Sequence, residues 1–367
     1  MKHQDRTGFA RSVIAMAVAM TAAQAMAQTA EAPRAKDDAV RIGSIVITGA
    51  GDRLGTGQML NEDTAKSRST VTKAATEKDL ATSNTYQALS LLPGVNTFNH
   101  DATGLFGGGI TIRGFNSDQL GFTINGVPVN DSGNYAVFPQ EYTDQENVCT
   151  QTLAQGAPDV ESPHIGATGG SIGIITCDPE DKHRGRFTQT LGERNLSRTF
   201  LRVDSGRFAD NKAKVFVSLS HSQADKWKGA GKAKRDHLDT AFSFDLSSNV
   251  RVVGSLLYNR AVNNNIGTLS VAQLAANGYF WDFSTTFTPG HLTPVAGTAQ
   301  KETGPTPQFY KLALNPFENA IGSISAVVRL AESTQLKVQP YMWYGYGTGG
   351  VQQRAFSETG FLNTTTG

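Results

Sequence analysis

The segment from Gly109 to Asn130, GITIRGFNSDQLGFTINGVPVN, constrains the fold of this chain more than any other feature. Two alternating stretches, ITIRGF and FTINGVPV, are joined by a short polar turn, and each contains a glycine inside a run that otherwise favours a strand. Upstream, LLPGV at 91–95 closes a helix-like segment, Thr85 to Leu92, with a Pro-Gly stop. This order of elements predicts a small mixed α+β domain.

The rest of that domain is predicted as a mixed sheet with short helical structure. The pattern from Glu77 to Leu92 is helical. Strands are predicted at about 109–115, 121–129, 146–153 and 171–177.

In this order the motifs resemble the plug domain of TonB-dependent outer-membrane receptors, whose usual pattern is an LPGV turn, an IRGF strand and a DGVPV strand. The resemblance covers about residues 45–179, with the plug itself predicted at 50–180. The segment GATGGSIGIIT at 166–176 resembles the closing strand of that domain. This chain departs from the pattern at Asn125, where Asp is commoner, and at 155–157, where Gln-Gly-Ala replaces Arg-Gly-Pro.

The resemblance implies structural or gating roles for a set of plug positions. Arg113 is expected at the junction between plug and barrel, where a planar, permanently charged guanidinium can bridge carboxylates. The full set is Pro93, Gly94, Arg113, Gly114, Asn125, Gly126, Gly169 and Gly170.

Residues 1–27 have the pattern of a cleavable export signal. Basic residues near the start are followed by an apolar run from Val13 to Ala23 and by the small-residue sequence Ala25-Met26-Ala27. The run is shorter than the roughly 20 residues that a spanning helix needs, which favours a signal peptide over an N-terminal anchor. With the resemblance, this predicts a protein exported to the outer membrane.

Residues 28–44 are predicted as a polar linker, and residues 45–49 as a coupling segment. Within it, Ile45, Val46, Ile47 and Thr48 resemble the TonB box, which family members offer to the energy-coupling complex at the inner membrane. The physical basis would be strand addition to a partner's sheet edge. The alternative is that this segment is the first strand of the plug sheet.

Residues 184–367 are predicted as antiparallel barrel strands. The sequence breaks there into segments of about ten residues with alternating apolar and polar positions, as in transmembrane β-barrels. In one segment Leu238, Thr240, Phe242, Phe244 and Leu246 share a face opposite Asp239, Ala241, Ser243 and Asp245. Strands are predicted at about 185–192, 196–206, 213–222, 236–246, 249–259, 318–330 and 334–346. A soluble β-sandwich also alternates, but the plug resemblance favours a barrel.

The connections between these strands predict their orientation. Short turns at 247–248 and 332–333 alternate with longer connections at 223–235 and 260–317, as expected for periplasmic turns and extracellular loops. The aromatic run YMWYGY at 341–346 is predicted to lie in an interfacial girdle. Because plugged transporters have about 22 strands, seven cannot close a barrel, and the chain is expected to be the N-terminal part of a longer protein.

The two cysteines, Cys149 and Cys177, lie on predicted strands that are plausible neighbours. In an exported protein this favours a disulfide. Two unpaired buried thiols are the alternative, because sequence alone does not give the distance between them.

The residues indicate no catalytic chemistry. Gly169 to Gly173 fits the hydrolase pattern G-x-S-x-G, but Ser171 is followed by strand-like sequence where that motif requires a helix. The seven histidines are scattered, without the spacing of a metal site. A net charge of +1 lacks the excess of basic residues that is typical of a nucleic-acid-binding protein. We therefore expect no enzyme, no metal, no cofactor and no nucleic-acid partner.

The resemblance implies a substrate site between plug loops and barrel loops on the extracellular side. Exposed loop aromatics can contact a bulky, partly apolar ligand, whereas packing against the barrel is the alternative. Two plug loops, 96–108 and 131–142, carry the candidates Phe98, Phe106, Tyr135, Phe138 and Tyr142.

The function expected from the resemblance is energised import across the outer membrane through a TonB-type complex, by a protein embedded in outer-membrane lipid. The ligand would be a siderophore-like molecule, haem, cobalamin or a glycan. A passive porin without a plug, or a secreted β-sandwich binding protein, is the rival interpretation. It gives no role to the LPGV, IRGF and NGVPV series.

Overall fold

The computed structural model describes residues 59–61, 67–80, 82–158, 162–164, 166–287 and 309–348. The predicted signal peptide, the linker and the coupling segment Ile45 to Thr48 lie outside these residues. The fold is therefore described from Met59 onward.

Strands dominate the described part of the chain. They are β1 Met59–Asn61, β2 Arg68–Thr72, β3 Val95–Asn99, β4 Gly108–Ile112, β5 Phe115–Asn116, β6 Gly121–Ile124, β7 Val127–Pro128, β8 Val148–Gln155, β9 Gly170–Thr176, β10 His183–Gly192, β11 Leu196–Ser205, β12 Ala213–Asp225, β13 Lys232–Ser247, β14 Val250–Asn264, β15 Leu314–Ala331, β16 Thr334–Val338 and β17 Tyr341–Gly347.

The helices are short. They are α1 Lys73–Thr76, α2 Thr85–Leu89 and α3 Val271–Asn277, with 3-10 turns at Ser117–Gln119, Pro139–Glu141, Gln145–Asn147 and Tyr310–Leu312. No helix within the described ranges has both the length and the apolar character needed to cross a bilayer.

The first nine strands form two sheets, and we call this part of the molecule the plug. A six-stranded sheet has the order β1-β2-β8-β9-β6-β7, in which β6 and β9 are parallel and the other neighbours antiparallel. A three-stranded sheet has the order β3-β4-β5. A shared apolar core joins the two sheets to α2 and includes Val71, Tyr86, Leu89, Ile112, Phe122 and Ile172. The mixed α+β plug predicted from the sequence is confirmed.

The prediction of single strands at 109–115 and 121–129 is wrong, because each segment is a tight hairpin. Ile112 pairs with Phe115, and Ile124 pairs with Val127, so two residues form each turn. These are Arg113-Gly114, with φ of 49° and 86°, and Asn125-Gly126, with φ of 51° and 83°. Two consecutive residues with positive φ are the requirement of a type I′ hairpin turn. The glycine in each run therefore lies in a turn, where the chain reverses direction.

The predicted helix from Glu77 to Leu92 is also too long. Asn84 has an extended backbone and its side chain accepts hydrogen bonds from the N–H groups of Tyr86 and Gln87. Gln87 returns the contact by accepting from the Asn84 N–H at 2.9 Å. This capping box satisfies the free N–H groups of a helix start, so α2 begins at Thr85.

The remaining strands, β10 to β17, form an antiparallel sheet that we call the wall. Strands β10 to β15 pair in sequence order, and both β16 and β17 pair with β15. The seventh strand predicted at 334–346 is thus interrupted at Gln339 and Pro340. Proline has no N–H to donate, but its carbonyl still accepts from the Ile324 N–H at 3.2 Å, which keeps β16 and β17 in one line.

The wall has two faces of different chemistry, as the alternation predicted. On β13, Asp239 and Ser243 are buried toward the plug, whereas Phe242 and Leu246 on the opposite face are exposed. We call the plug side the inward face and the other side the outward face. Connections at one end of the wall are short, and at the other end they include the long segment between β14 and β15.

Candidate functional site

The plug meets the inward face of the wall through residues 139–147. This segment contains two 3-10 turns and begins with Pro139 at the first position of the first turn. Its polar side chains are buried, among them Gln140, Thr143, Asp144 and Asn147. Buried polar groups need partners, and here the wall supplies them. We call this arrangement the junction.

Two arginines of the wall bind two carboxylates of the junction. Arg198 on β11 contacts Glu146 through two bonds of 2.6 and 2.8 Å, and its guanidinium also lies 3.3 Å from Asp144. Arg235 on β13 donates to Asp144 at 2.6 Å and to the Tyr142 carbonyl. All four charged side chains are nearly inaccessible to solvent. Bidentate pairing in such a place fixes orientation as well as charge balance.

A second part of the junction centres on Asn147. Its amide nitrogen donates to Ser218 on β12 and to Asp239 on β13, both at 2.7 Å. Its side-chain oxygen accepts from Arg202 on β11 at 3.1 Å. Thr143 also donates to Asp239, at 2.6 Å. A single plug asparagine thus joins three neighbouring wall strands.

Arg202 is itself held in place by the wall. It donates to both oxygens of Asp204, at 2.9 and 2.8 Å, and lies 3.7 Å from the centre of the Phe216 ring. It also donates to the Asp178 carbonyl where the chain leaves the plug. Stacking and a bidentate carboxylate suit the planar guanidinium, so this arginine can present a donor to the plug in a fixed geometry.

Two buried carboxyl groups of the junction have opposite acidities. Burial alone would raise the pKa of Asp144, but Arg235, His237 and Arg198 hold that pKa far below its ordinary value. Burial raises the pKa of Glu141 well above its ordinary value, and the negative charge of Asp131 raises it further. Asp144 is therefore ionised at neutral pH, whereas Glu141 is held toward its protonated form.

Three further contacts attach the plug to the wall. Asn319 on β15 donates to the Glu141 carbonyl at 2.9 Å. At the Asn125-Gly126 turn, the side chain of Asn125 donates to Ser255 at 3.3 Å, and its carbonyl accepts from Gln339 at 2.7 Å. The break in the seventh strand thus places a side chain where it reaches the plug.

A small polar cavity of about 40 Å³ lies between the junction, the α2 start and the wall. Its lining includes Asn84, Gln140, Asp144, Arg198 and Arg235. Such a volume accommodates a few water molecules at most, and the polar lining suits them. The cavity is far smaller than any of the ligands considered above.

Cys149 and Cys177 form a disulfide, with 4.8 Å between their Cα atoms. Cys149 lies at an irregularity of β8, where the pairing with β9 shifts between Val148 and Thr150. The Cys177 N–H donates to the Asn147 carbonyl at 2.7 Å. The covalent link therefore lies directly beside the part of the plug that binds the wall.

The aromatic residues predicted to face a ligand divide into two groups. Phe98, Tyr135 and Phe138 are exposed. For Phe106 and Tyr142 the prediction of exposure is wrong. Phe106 packs with Leu105 against Ala224 and Ala233 of the wall. Tyr142 is buried in the plug core, and its hydroxyl donates to the Val129 carbonyl.

Arg113 lies apart from the junction. Its guanidinium donates to Ser67 at 3.3 Å, its N–H donates to the Gly94 carbonyl at 2.9 Å, and its side chain is exposed. Among the described residues its contacts are within the plug, and the carboxylate bridging expected of it is made instead by the arginines of the wall.

The remaining signature positions serve the packing of the plug. The Pro93 carbonyl accepts from Gln155 at 2.6 Å. A side chain at Gly169 would overlap Phe115, and one at Gly170, where φ is 133°, would overlap the Ala154 carbonyl. These glycines allow β9 to lie close to its neighbours.

Sequence reasoning missed Arg198, Arg202 and Arg235, although a signal for them exists. The two arginines of β11 are separated by an even number of residues from Asp204 on the same strand, so all three share one face. Charges confined to one face of a strand, opposite a face that has none, indicate a partner on the charged face. The partners, 139–147, lie in a loop whose path the sequence does not specify.

The fold and the buried junction together define a plug docked on barrel-type strands. Residues 61–171 match the family model described as the TonB-dependent receptor plug domain. Solved structures with the same fold include the ferric citrate transporter FecA in its unliganded form, with a TM-score of 0.60 and 16% sequence identity, matching 79% of this chain and 41% of that one.

Two further matches have similar scores. The siderophore receptor PiuA from Acinetobacter baumannii has a TM-score of 0.55 and 19% identity, over 78% of this chain and 37% of that one. The copper transporter OprC has a TM-score of 0.54 and 14% identity, over 80% and 38%. The chain thus spans about two fifths of the length of these structures. No curated protein matches it in sequence. Residues 61–171 thus match the plug domain of TonB-dependent receptors, and the described part of the chain shares its fold with the solved receptors and transporters above.

Proposed function

We propose that this chain is the plug and the first wall strands of a receptor that imports a bulky ligand across the outer membrane. The energy would come from a TonB-type complex at the inner membrane. The signal-peptide pattern at 1–27 supports export, and the plug match supports receptor function. The family comprises transporters and receptors, and we propose that this member has no enzyme activity.

The observation that carries the proposal is the junction. Removing one partner of a buried ion pair costs about 3–5 kcal/mol, and the junction contains Arg198 and Arg235 bound to Asp144 and Glu146. The cavity beside the junction holds no more than a few waters, so a ligand that passes between the junction and the wall would require the plug to move or rearrange. Breaking the buried ion pairs of the junction to move the plug would require an external source of energy, which a passive porin lacks.

The coupling segment would be Ile45 to Thr48, by strand addition to the energy-coupling partner. Prolines at Val46 and Ile47 remove N–H donors from that pairing and should abolish uptake while leaving ligand binding unchanged. Prolines at Ala35 and Lys36 in the linker serve as the control and should leave uptake intact. Uptake that persists with prolines at Val46 and Ile47 would show that these residues are instead part of the plug sheet or serve no coupling role.

The ligand site would lie at the long-loop end of the wall, where Tyr135 and Phe138 are exposed next to the junction. Phe98 is exposed on the neighbouring plug strand. Rigid aromatic rings offer contact area to a ligand that is partly apolar or ring-bearing. We keep the four ligand classes, siderophore-like, haem, cobalamin and glycan, because no described residue selects among them.

The test is the double variant Tyr135→Ala and Phe138→Ala in the complete protein. Affinity should fall roughly tenfold or more while abundance in the outer membrane stays constant. The matched control replaces Tyr344 and Phe187, one tyrosine and one phenylalanine exposed on the outward face. Equal affinity in both double variants would contradict this ligand site without touching the coupling proposal.

A further inference from the structure

A buried histidine, His237, lies on the inward face of β13, and its side chain has no contact with solvent. Its Nδ1 atom is 3.2 Å from the side-chain oxygen of Asn259 on β14, and its Nε2 atom is 3.1 Å from a carboxylate oxygen of Asp239. Both ring nitrogens therefore face an oxygen atom. Histidine is the side chain that most readily gains or loses a proton near neutral pH, so these two neighbours bear on its charge.

The two neighbours of the ring suit only its charged form. Arg235 donates from Nε to the same oxygen of Asn259 at 2.8 Å, and because a guanidinium has only donors, the orientation of that amide is fixed. A neutral imidazole has one N–H group and one bare nitrogen, which either tautomer would direct at an oxygen of Asn259 or Asp239. The imidazolium has an N–H group at both positions. The Nε2 contact lacks hydrogen-bond geometry, so charge attraction dominates it.

Asp239 supplies a second argument for a charged His237. Asp239 is buried, and it accepts hydrogen bonds from two plug residues, Thr143 at 2.6 Å and Asn147 at 2.7 Å. A carboxylate in such a place needs a cation beside it. The three arginines of the junction are paired with other carboxylates, and among the described residues His237 is the cationic group within ion-pair distance of Asp239. Charge balance and ring geometry thus agree.

Charged groups face His237 from β13 and from the plug. On β13 they are Asp239 and Arg235, and from the plug the carboxylate of Asp144 attracts the charged ring. Arg235 is itself bound to Asp144, so Asp239 leaves an excess of negative charge beside the ring. The direct partners of His237 on β12 and β14 are uncharged, Ser220 and Asn259. The other charged groups of the junction and its wall partners are Glu141, Glu146, Arg198, Arg202 and Asp204.

We propose that His237 makes docking of the plug depend on pH, with the charged ring keeping Asp239 ionised and able to bind Thr143 and Asn147. Loss of the ring proton leaves Asp239 as a buried carboxylate without a cation. It must then take up a proton or move toward water, and either change weakens its two bonds to the plug. The plug is therefore released more easily in alkaline medium. The inference rests on the proposed function for its role in import, but its test does not use uptake.

The direction of the pH effect follows from where the proton is bound. Below about pH 6.5 histidine is protonated in the unfolded chain as well, so the ion pair between His237 and Asp239 contributes fully to stability there. As the pH rises further, the folded junction loses the ring proton and with it this contribution. Ionisation of Glu141 also lowers stability as the pH rises, so the experiment must separate the two groups.

The test measures amide hydrogen exchange of 139–147 in the complete protein purified in detergent, as protection factors, which remove the intrinsic effect of pH on exchange. Protection in the parent should fall about tenfold or more between about pH 6 and about pH 9. His237→Gln keeps a polar side chain without a titrating charge, so its protection should already be low at the acidic pH and should not change. The fall should persist in Glu141→Gln, which removes the other titrating group.

The matched control is His221→Gln. His221 lies on β12 at 2.6 Å from Asp236, but this pair is exposed on the outward face, so protection of 139–147 should follow the parent at both pH values. Asp239→Asn keeps an acceptor for the plug without a charge, so its protection should not depend on pH. Equal protection of the parent at both pH values would overturn the inference. A fall as large as the parent's in His237→Gln or Asp239→Asn would also overturn it.

Discussion

The plug has two regions that differ in their relation to the wall. The junction, 139–147, is buried, and its contacts cross to four wall strands. The hairpin of β4 and β5 is exposed at its turn, where Arg113 contacts Ser67 and no described residue beyond its two chain neighbours comes within 4 Å of the position of a Gly114 Cβ. The IRGF hairpin, one of the most recognisable parts of the sequence, therefore has fewer contacts to the wall than the junction has.

The plug therefore depends on two kinds of interaction, local turn conformation and contacts with the wall. The conformation of the two hairpin turns is set locally, because Gly114 and Gly126 adopt positive φ values that other residues resist, although the Asn125-Gly126 turn also contacts the wall. The junction instead depends on docking, because Asp144 and Asn147 find hydrogen-bond partners in the wall, such as Arg235 and Arg202. Substitutions in the two regions should therefore have effects of different size and on different measurements.

The largest effect is expected from Asp144→Ala. It leaves Arg235 in a buried site without its carboxylate, which should cost about 3–5 kcal/mol. Amide hydrogens in 139–147 should exchange faster. The melting temperature of the detergent-solubilised protein should also be lower. Asp118→Ala, an exposed acid of the plug, is the control and should change neither. If 139–147 remained protected from exchange in Asp144→Ala, the junction would not depend on its ion pairs with the wall.

Loss of the disulfide should have the next largest effect. Cys149→Ser with Cys177→Ser opens a loop with a sequence separation of 28, worth about 3.5 kcal/mol in the chain-entropy description. Because Cys177 bonds to Asn147, the loss of protection should include the junction and spare the β4–β5 hairpin. A reducing agent should reproduce the effect in the parent and have none in the double variant. A uniform loss of protection from exchange across the plug would contradict a specific effect of the disulfide on the junction.

A stabilising change is expected at Glu141. A carboxyl whose pKa is raised binds its proton more tightly when folded, so the folded state loses stability as pH rises above the ordinary range of glutamate. Glu141→Gln mimics the protonated form and should add about 1–2 kcal/mol at neutral pH, with no gain near pH 4. Asp144, with its lowered pKa, has the opposite sign, and its contribution is lost only in strong acid. A gain that does not depend on pH would contradict this account.

The smallest effect is a difference between two alanine substitutions. Gly114→Ala and Gly126→Ala both force a positive φ on alanine, at a cost of about 1 kcal/mol each. A Cβ at Gly126 would also lie 3.2 Å from the side-chain oxygen of Gln339, whose amide donates to Asn125. Gly126→Ala should therefore cost about 0.5–1 kcal/mol more. The variant Gln339→Ala should remove that difference.

Local chemistry explains what the sequence could predict. Alternation on β13 separates Phe242 from Asp239, and the wall strands follow the predicted segments with small changes in their ends. The Asn125-Gly126 pair is a strong hairpin signal, and its misinterpretation as a strand interior reflects the apolar residues on both sides. The capping box at Asn84 was equally readable from Asn84 and Gln87.

Long-range partners could not be predicted in the same way. Arg198 and Asp144 are far apart in sequence, and either could have been a solvated surface charge. Phe106 and Tyr142 look like their exposed counterparts Phe138 and Tyr135 until the path of each loop is known. Burial depends on how the plug sits against the wall, which no local pattern encodes.

The disulfide imposes an order on the assembly of this protein. In the docked plug Cys177 is buried beside the junction and Cys149 is half-buried, so we expect an oxidising enzyme to reach both thiols before docking. We therefore expect bond formation to precede docking of the plug on the wall, and, with the export proposed above, to take place in the periplasm. In cells deprived of thiol oxidation, this protein should accumulate as an intermediate in which the plug is not docked on the wall.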